Sequence, residues 1–120
     1  MGENVIVEKS KMFAIKIIEL YKRLQSEKKE FVLSKQILKS GTSIGANVKE
    51  AIRGQSRADF RAKMSRALKE ASETEYWLEL LNETDFIDKD IFEQLYADNC
   101  ELLKILTSIV KSSEKTIKGE

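Results

Sequence analysis

Residues 59–81, DFRAKMSRALKEASETEYWLELL, indicate the fold class because their apolar residues repeat with the period of an α-helix. Side chains at steps of three and four residues lie on one face of a helix. The core line predicted for this helix consists of Phe60, Met64, Ala67, Ala71, Thr74, Leu78 and Leu81. Because the stretch contains neither glycine nor proline, it predicts one long amphipathic helix.

The rest of the chain repeats this pattern on both sides of that stretch. We predict helices at about residues 5–25, 31–53, 57–82 and 89–113. Gly54 is a natural stop for the second helix, and Ser56 with Asp59 forms a capping-box-like start for the third. Four helices of similar length with short connections predict an all-α fold, an antiparallel up-down four-helix bundle that makes one domain of residues 1–120.

Composition excludes several kinds of chemistry. The chain has no histidine and one cysteine, Cys100. It therefore has no Ser-His-Asp triad, no histidine-ligated metal, no cysteine-rich zinc site and no disulfide within the chain. We expect a protein that is not an enzyme and binds no cofactor and no metal. No apolar run suits a secretion signal or a membrane span, so we expect a cytoplasmic protein without membrane contact.

Charge is distributed unevenly, although the formal net charge is only +1. Residues 28–69 hold eleven Lys and Arg against three Asp and Glu, a net charge of +8. Residues 70–101 hold one Lys against eleven Asp and Glu, a net charge of −10. Such blocks indicate a polyanion-binding surface beside an acidic one, or two surfaces that neutralise each other within the fold or between subunits.

The second predicted helix carries an apolar face and, opposite it, a basic face. At 100° per residue, Ile37, Ile44 and Val48 gather on one side, whereas four cations gather within about 80° on the other. Arg57 and Arg61 continue the positive block into the third helix. This basic face either contacts phosphates or is only solvated or ion-paired, and the sequence leaves both interpretations open. The candidate nucleic-acid contacts are Lys35, Lys39, Lys49, Arg53, Arg57 and Arg61.

Residues 40–47, SGTSIGAN, permit a phosphate-cradling loop, a helix break or a continuous helix whose small residues let another backbone come close. The apolar period continues from Ile44 to Val48, which favours the continuous helix. Polar residues at the edge of the apolar face are predicted to form hydrogen bonds between helices. One polar residue inside the apolar stripe of the fourth helix is predicted to set either its register or its choice of partner. These structural polar residues are Ser40, Ser43, Asn47 and Asn99.

Residues 76–81, YWLELL, are apolar nearly all round the third helix. Tyr76, Trp77 and Leu80 are predicted to point away from its core line, so the helix needs a second neighbour. That neighbour is either the N-terminal segment around residues 5–7 or another copy of the chain. Because Trp and Tyr are favoured at interface cores, we expect self-association through these three residues.

Two segments together resemble a known family. Residues 40–51, SGTSIGANVKEA, and residues 59–81 are similar to the bacterial 23S ribosomal RNA intervening-sequence proteins, and the likeness extends over nearly the whole chain. The resemblance implies an up-down four-helix bundle that assembles as a ring-like homopentamer. Members are often encoded within insertions in ribosomal RNA genes, and RNA binding is the function usually suggested for them.

Two hypotheses follow from the residues and the resemblance together. The first is a non-enzymatic homo-oligomer that binds RNA, ribosomal RNA among the candidates, through the basic face of the second helix. The second is a homo-oligomeric scaffold that binds a protein partner through its acidic block and does not touch nucleic acid.

Overall fold

Four α-helices form an antiparallel bundle whose extents are 52 × 21 × 21 Å. A computed structural model of the chain describes the backbone of residues 2–119 and the side chains of residues 5–114. Each helix packs on the next along the chain, α1 also touches α4 more sparsely, and the described part of the chain contains no strand. The helices are α1 (Gly2–Ser26), α2 (Leu33–Ile52), α3 (Arg57–Glu83) and α4 (Lys89–Gly119).

Among the internal helix ends, the start of α2 differs most from the prediction, since it lies at Leu33 rather than at residue 31. Phe31 and Val32 extend the apolar sequence pattern toward the N-terminus of α2, which is why the prediction included them. In the structure both side chains are exposed and precede the helix. The backbone N–H groups of Val32, Leu33 and Ser34 all donate to the carboxylate of Glu30, at 2.6–3.2 Å. This carboxylate therefore sets the start of α2. At the chain ends, α1 and α4 extend to Gly2 and Gly119.

Side-chain caps mark the starts of α3 and α4, and a backbone turn ends α3. Ser56 Oγ accepts a hydrogen bond from the Asp59 N–H at 3.0 Å, which makes it the N-cap that the sequence predicted for α3. The N–H of Ile91 donates to Asp88 Oδ1 at 2.9 Å at the start of α4. At the end of α3, Asp85 adopts a left-handed conformation with φ 65°, and the N–H of Phe86 reaches back to the Leu81 carbonyl.

Helix α2 is unbroken through its two glycines, as the apolar period predicted. A Cβ at Gly41 would lie 2.9 Å from Ile17 side-chain atoms on α1, so this glycine is needed for the close approach of α1 and α2. A Cβ at Gly45 would make ordinary contact with Ser10 at 3.4 Å. The small residues of 40–47 are therefore a packing feature.

The core consists of the inward residues of all four helices. Every member of the core line predicted for α3 from Met64 to Leu81 is buried, and Phe60 is half-buried. Ile6 of the N-terminal segment lies in the same core. Because α1 packs on α2 and α4 and lies diagonal to α3, it does not cover Tyr76 and Trp77. That alternative for the second neighbour of α3 is wrong.

Candidate nucleic-acid interface

The outer face of α2 carries a row of cations, which we call the α2 ridge and define as Lys35, Lys39, Lys49 and Arg53. All four side chains are exposed. Among the residues whose side chains the structure describes, none forms an ion pair with the ridge within 4.0 Å. The ridge therefore leaves its positive charge to solvent or to a ligand.

The ridge is made of two pairs. Lys35 and Lys39 are one helical turn apart, as are Lys49 and Arg53, so each pair spans about 6 Å along the axis. Ten residues, or about 15 Å, separate Lys39 from Lys49, and Thr42 lies between them with its hydroxyl donating to the Leu38 carbonyl at 2.7 Å. A polyanion that engages both pairs must therefore run along α2 for most of its length.

An acidic group of α3, Glu70, lies within electrostatic reach of the ridge residue Lys39. Burial raises the pKa of the Glu70 carboxyl on α3 above its ordinary value, and the adjacent Glu73 raises it further. Lys69 and Lys39 act in the opposite direction and lower it. At the other end of the ridge, Arg53 lines a surface depression together with Glu50 and Asp59.

The structure directs Arg61 of α3 toward α4 and places Arg57 beside the end of α2. Arg61 NH2 lies 3.3 Å from Glu114 Oε2 on α4, so its guanidinium bridges α3 and α4. Arg57 is the first residue of α3 and lines a depression at the end of the bundle with Ile52 and Phe60. The sequence placed both arginines in one positive block. The contact with α4 separates Arg61 from the four cations of α2, whereas Arg57 lies beside Ile52 at the end of that helix.

The structural polar residues form two kinds of contact. Thr74 on α3 donates from Oγ1 to Ser40 Oγ at 2.8 Å, and Asn99 on α4 donates from Nδ2 to the Ala71 carbonyl at 2.9 Å. Both bonds are buried and join neighbouring helices. Asn99 Oδ1 is also buried and has no hydrogen-bond partner among the described residues.

Ser43 and Asn47 differ from what the sequence predicted. Ser43 Oγ donates to the Lys39 carbonyl at 2.6 Å, and Asn47 Nδ2 donates to the Ser43 carbonyl at 2.9 Å. Both bonds are internal to α2 and none of these partners is on another helix. The physical reason is that a short polar side chain beside the core line reaches the carbonyl four residues earlier more readily than a neighbouring helix.

The three residues predicted for self-association are exposed to different extents. Tyr76 is 54% exposed, whereas Trp77 is half-buried and packs against the core. The two rings are tilted against each other with centroids 5.2 Å apart, and Leu80 is half-buried beside them. Of the three, Tyr76 offers most of the free apolar surface, and Trp77 points inward more than its sequence position indicated.

Sequence reasoning missed further apolar surface on α1. Met12 is 61% exposed and Ile15 is 52% exposed, and Val5 and Ile18 are also exposed. It also missed Lys11, which lies across from the C-terminal half of the ridge in a groove between α1 and α2. Lys11 lies four residues after Val7 and seven before Ile18, so all three share one face of α1. This spacing is the sequence signal that could have indicated its position.

The acidic block contains a small hydrogen-bonded cluster between α3 and α4. The Tyr96 hydroxyl donates to Glu79 Oε2 at 3.1 Å and to Glu75 Oε2 at 3.3 Å. The bond to Glu79, together with burial and the charge of Glu75, raises the pKa of Tyr96 to about 12. Within the described residues no three Asp, Glu or Cys side chains are grouped so as to hold a metal ion.

The chain is similar to a known protein family and to a solved four-helix structure. The profile of the family described as 23S rRNA-intervening sequence protein matches residues 2–108. The chain belongs to this family. No curated protein matches the chain.

A crystal structure of a protein from Bacteroides thetaiotaomicron is similar to this one. It is 57% identical in sequence, with a TM-score of 0.91, and the likeness covers 92% of this chain and 99% of the other. That protein is described as one of unknown function from the S23 ribosomal protein family. Membership of the 23S rRNA-intervening sequence family thus fixes the four-helix fold and assigns no reaction. No described helix is long and apolar enough to cross a membrane.

Proposed function

We propose that this member of the 23S rRNA-intervening sequence family is a non-enzymatic RNA-binding protein whose α2 ridge contacts phosphates. The observation that supports this is the row of four exposed cations without an ion pair among the described side chains. An unpaired lysine or arginine can release the counterions condensed on a polynucleotide, which favours binding. Such contacts position a nucleic acid and do not read its sequence.

We propose in addition that the protein works as a homo-oligomer, a pentamer in keeping with its family resemblance. The exposed Tyr76 ring on α3 supports this, because Tyr and Trp are enriched at interface cores. An oligomer presents the ridge several times, so weak phosphate contacts of each subunit add up along one RNA. A cytoplasmic location fits the single free thiol of Cys100.

The test of RNA binding is charge reversal on the ridge. We expect the variant with Lys35, Lys39, Lys49 and Arg53 all changed to Glu to lose most of its affinity for a structured ribosomal RNA fragment, measured by fluorescence anisotropy at low salt. The matched control reverses four exposed cations on other faces, Lys22, Lys28, Lys104 and Lys111. An equal loss in both variants would show a net-charge effect and would contradict a site on α2.

A protein-binding scaffold is the second candidate, and an acidic patch on α3 favours it. Glu73 and Glu83 are exposed on the same outer face as Tyr76. A wild-type protein that binds no RNA at low salt would favour the scaffold over the RNA-binding protein. Binding of a purified partner would then have to depend on Glu73 and Glu83.

A further inference from the structure

A groove of about 500 Å³ runs between α1 and α2 beside one half of the ridge. Lys11 stands on its α1 side, and Lys49 and Arg53 stand on its α2 side. Between these cations the groove is lined by apolar or small residues, which include Val7, Gly45 and Ile52. Ile52 is 43% exposed, so its side chain presents apolar surface within reach of three positive charges.

The charge of this groove sets it apart from the groove between α1 and α4. None of the described residues that line the α1–α2 groove is acidic. In the α1–α4 groove, by contrast, Lys9 and Lys16 are each paired with an acid of α4, Glu101 at 3.1 Å and Asp98 at 2.7 Å. The α1–α2 groove therefore places three cations that form no ion pair within 4.0 Å among the described side chains around an apolar floor, which suits an anion that also carries an apolar part.

The width of the groove limits what can enter it. The axes of packed helices are about 8–10 Å apart, and the contact at Gly41 brings α1 and α2 close together. An RNA duplex keeps its bases paired and stacked, so it has no unstacked base to place on a floor between two helices. A single strand, in contrast, can place phosphates beside the cations and turn a base or ribose toward the floor.

We propose that the α1–α2 groove binds an unpaired segment of RNA, with Lys11 as a phosphate contact and Ile52 in the floor. The proposal rests on RNA binding by the ridge and names the form of RNA that this site takes. Lys11, Lys49 and Arg53 neutralise phosphates on both sides of the strand. The apolar floor contacts the unstacked base or ribose that only an unpaired strand exposes.

The test compares a short fluorescein-labelled RNA that cannot pair with itself and the same strand annealed to its complement. We expect the wild-type protein to bind the unpaired strand about threefold to tenfold more tightly, which is the effect of the apolar contact with the floor. Lys11→Gln is expected to weaken that binding and to reduce the slope of log affinity against log salt by about 0.7, the value for one phosphate contact on a single strand. Lys22→Gln, an exposed cation of the same helix outside the groove, is the matched control and should leave the slope unchanged.

Ile52→Ser tests the floor separately. This variant is expected to weaken binding of the unpaired strand about threefold to tenfold while the salt slope stays constant, because it removes apolar contact and no charge. Thermal unfolding of each variant confirms that the fold is retained. Loss of affinity in Lys11→Gln and Ile52→Ser together supports the groove.

Three results would overturn the groove. The first is equal affinity of the wild-type protein for the RNA duplex and the unpaired strand. The second is an unchanged RNA affinity of Lys11→Gln while reversal of the α2 ridge still abolishes RNA binding. Both results leave the proposed function of the ridge intact. The third is a smaller assembly mass in solution for Lys11→Gln together with an unchanged RNA affinity. This result would show that the groove contacts the acidic surface of a second copy of the chain rather than RNA. Absence of RNA binding by the wild-type protein would instead contradict the proposed function itself.

Discussion

Glu30 shows how one charged residue directs the chain at the start of α2. It is only 8% exposed, and its carboxylate accepts hydrogen bonds from three successive backbone N–H groups. Negative charge is stabilised at a helix N-terminus, where these donors have no partner within the helix. Burial alone would raise the pKa of Glu30, but the N–H donors of Leu33, Ser34 and Val32 outweigh it and lower the pKa below its ordinary value.

The first prediction concerns this carboxylate. Because the pKa of Glu30 is lower in the folded state than in the unfolded chain, its contribution to stability is complete above the unfolded pKa of about 4.5 and is lost as pH falls through the folded value. We expect Glu30→Gln to lower the free energy of unfolding by about 1–2 kcal/mol at pH 7. Urea unfolding should show a much smaller difference between the two proteins at acid pH.

Glu27→Gln is the control for this prediction. Glu27 is exposed and pairs with Arg23 at 3.6 Å on the surface of the same connection. Its loss is expected to change stability by less than about 0.5 kcal/mol. A difference between wild type and Glu30→Gln that stays constant from neutral to acid pH would refute the role of the charged carboxylate.

At the scale of the element, the two glycines of α2 have opposite roles. Alanine is favoured over glycine in a helix interior by about 1 kcal/mol, so Gly45→Ala should stabilise the fold, because its Cβ meets Ser10 at an ordinary 3.4 Å. Gly41→Ala places a Cβ 2.9 Å from the branched side chain of buried Ile17. Overpacking costs about 1–3 kcal/mol, which exceeds the gain in helix propensity.

We therefore predict a lower melting temperature for Gly41→Ala and a higher one for Gly45→Ala, measured by circular dichroism on the same day and buffer. The pair is its own control because the chemical change is identical and the sites are one turn apart. Stabilisation by both variants would mean that α1 and α2 pack less closely at Gly41 than the structure shows.

The four helices could be read from the sequence because their apolar residues keep one period over many turns. The start of α2 could not, since Phe31 and Val32 continue the apolar pattern while the deciding contact is made by Glu30. The ridge was predictable as a face, because the core line of α2 fixes which side is outward. The direction of Arg61 toward α4 depends on which helices are neighbours, and no local pattern contains that information.

At the scale of the whole molecule, two exposed apolar surfaces, one on α3 and one on α1, bear on the proposed self-association. We expect size-exclusion chromatography with light scattering to give a multiple of 13.8 kDa. Tyr76→Ala should reduce that mass with little loss of subunit stability, because the ring is 54% exposed. Trp77→Ala is less informative, since Trp77 also packs against the core and its removal destabilises the subunit.

Met12→Ala is the matched comparison for Tyr76→Ala. Met12 is 61% exposed on α1 and belongs to the other large apolar surface. A reduced mass for Met12→Ala with an unchanged mass for Tyr76→Ala would transfer the interface from α3 to α1. A wild-type protein that stays a monomer at tens of micromolar would refute assembly through either surface.

The measurement that tests the central claim most directly is the salt dependence of RNA binding by the wild-type protein. The four ridge cations together with Lys11 predict a slope of log affinity against log salt of about −3.5 for unpaired RNA, and reversal of the α2 ridge should remove most of that slope. A wild-type slope near zero, or no binding at the lowest salt, would contradict the account and leave the ridge as a solvated face of the bundle.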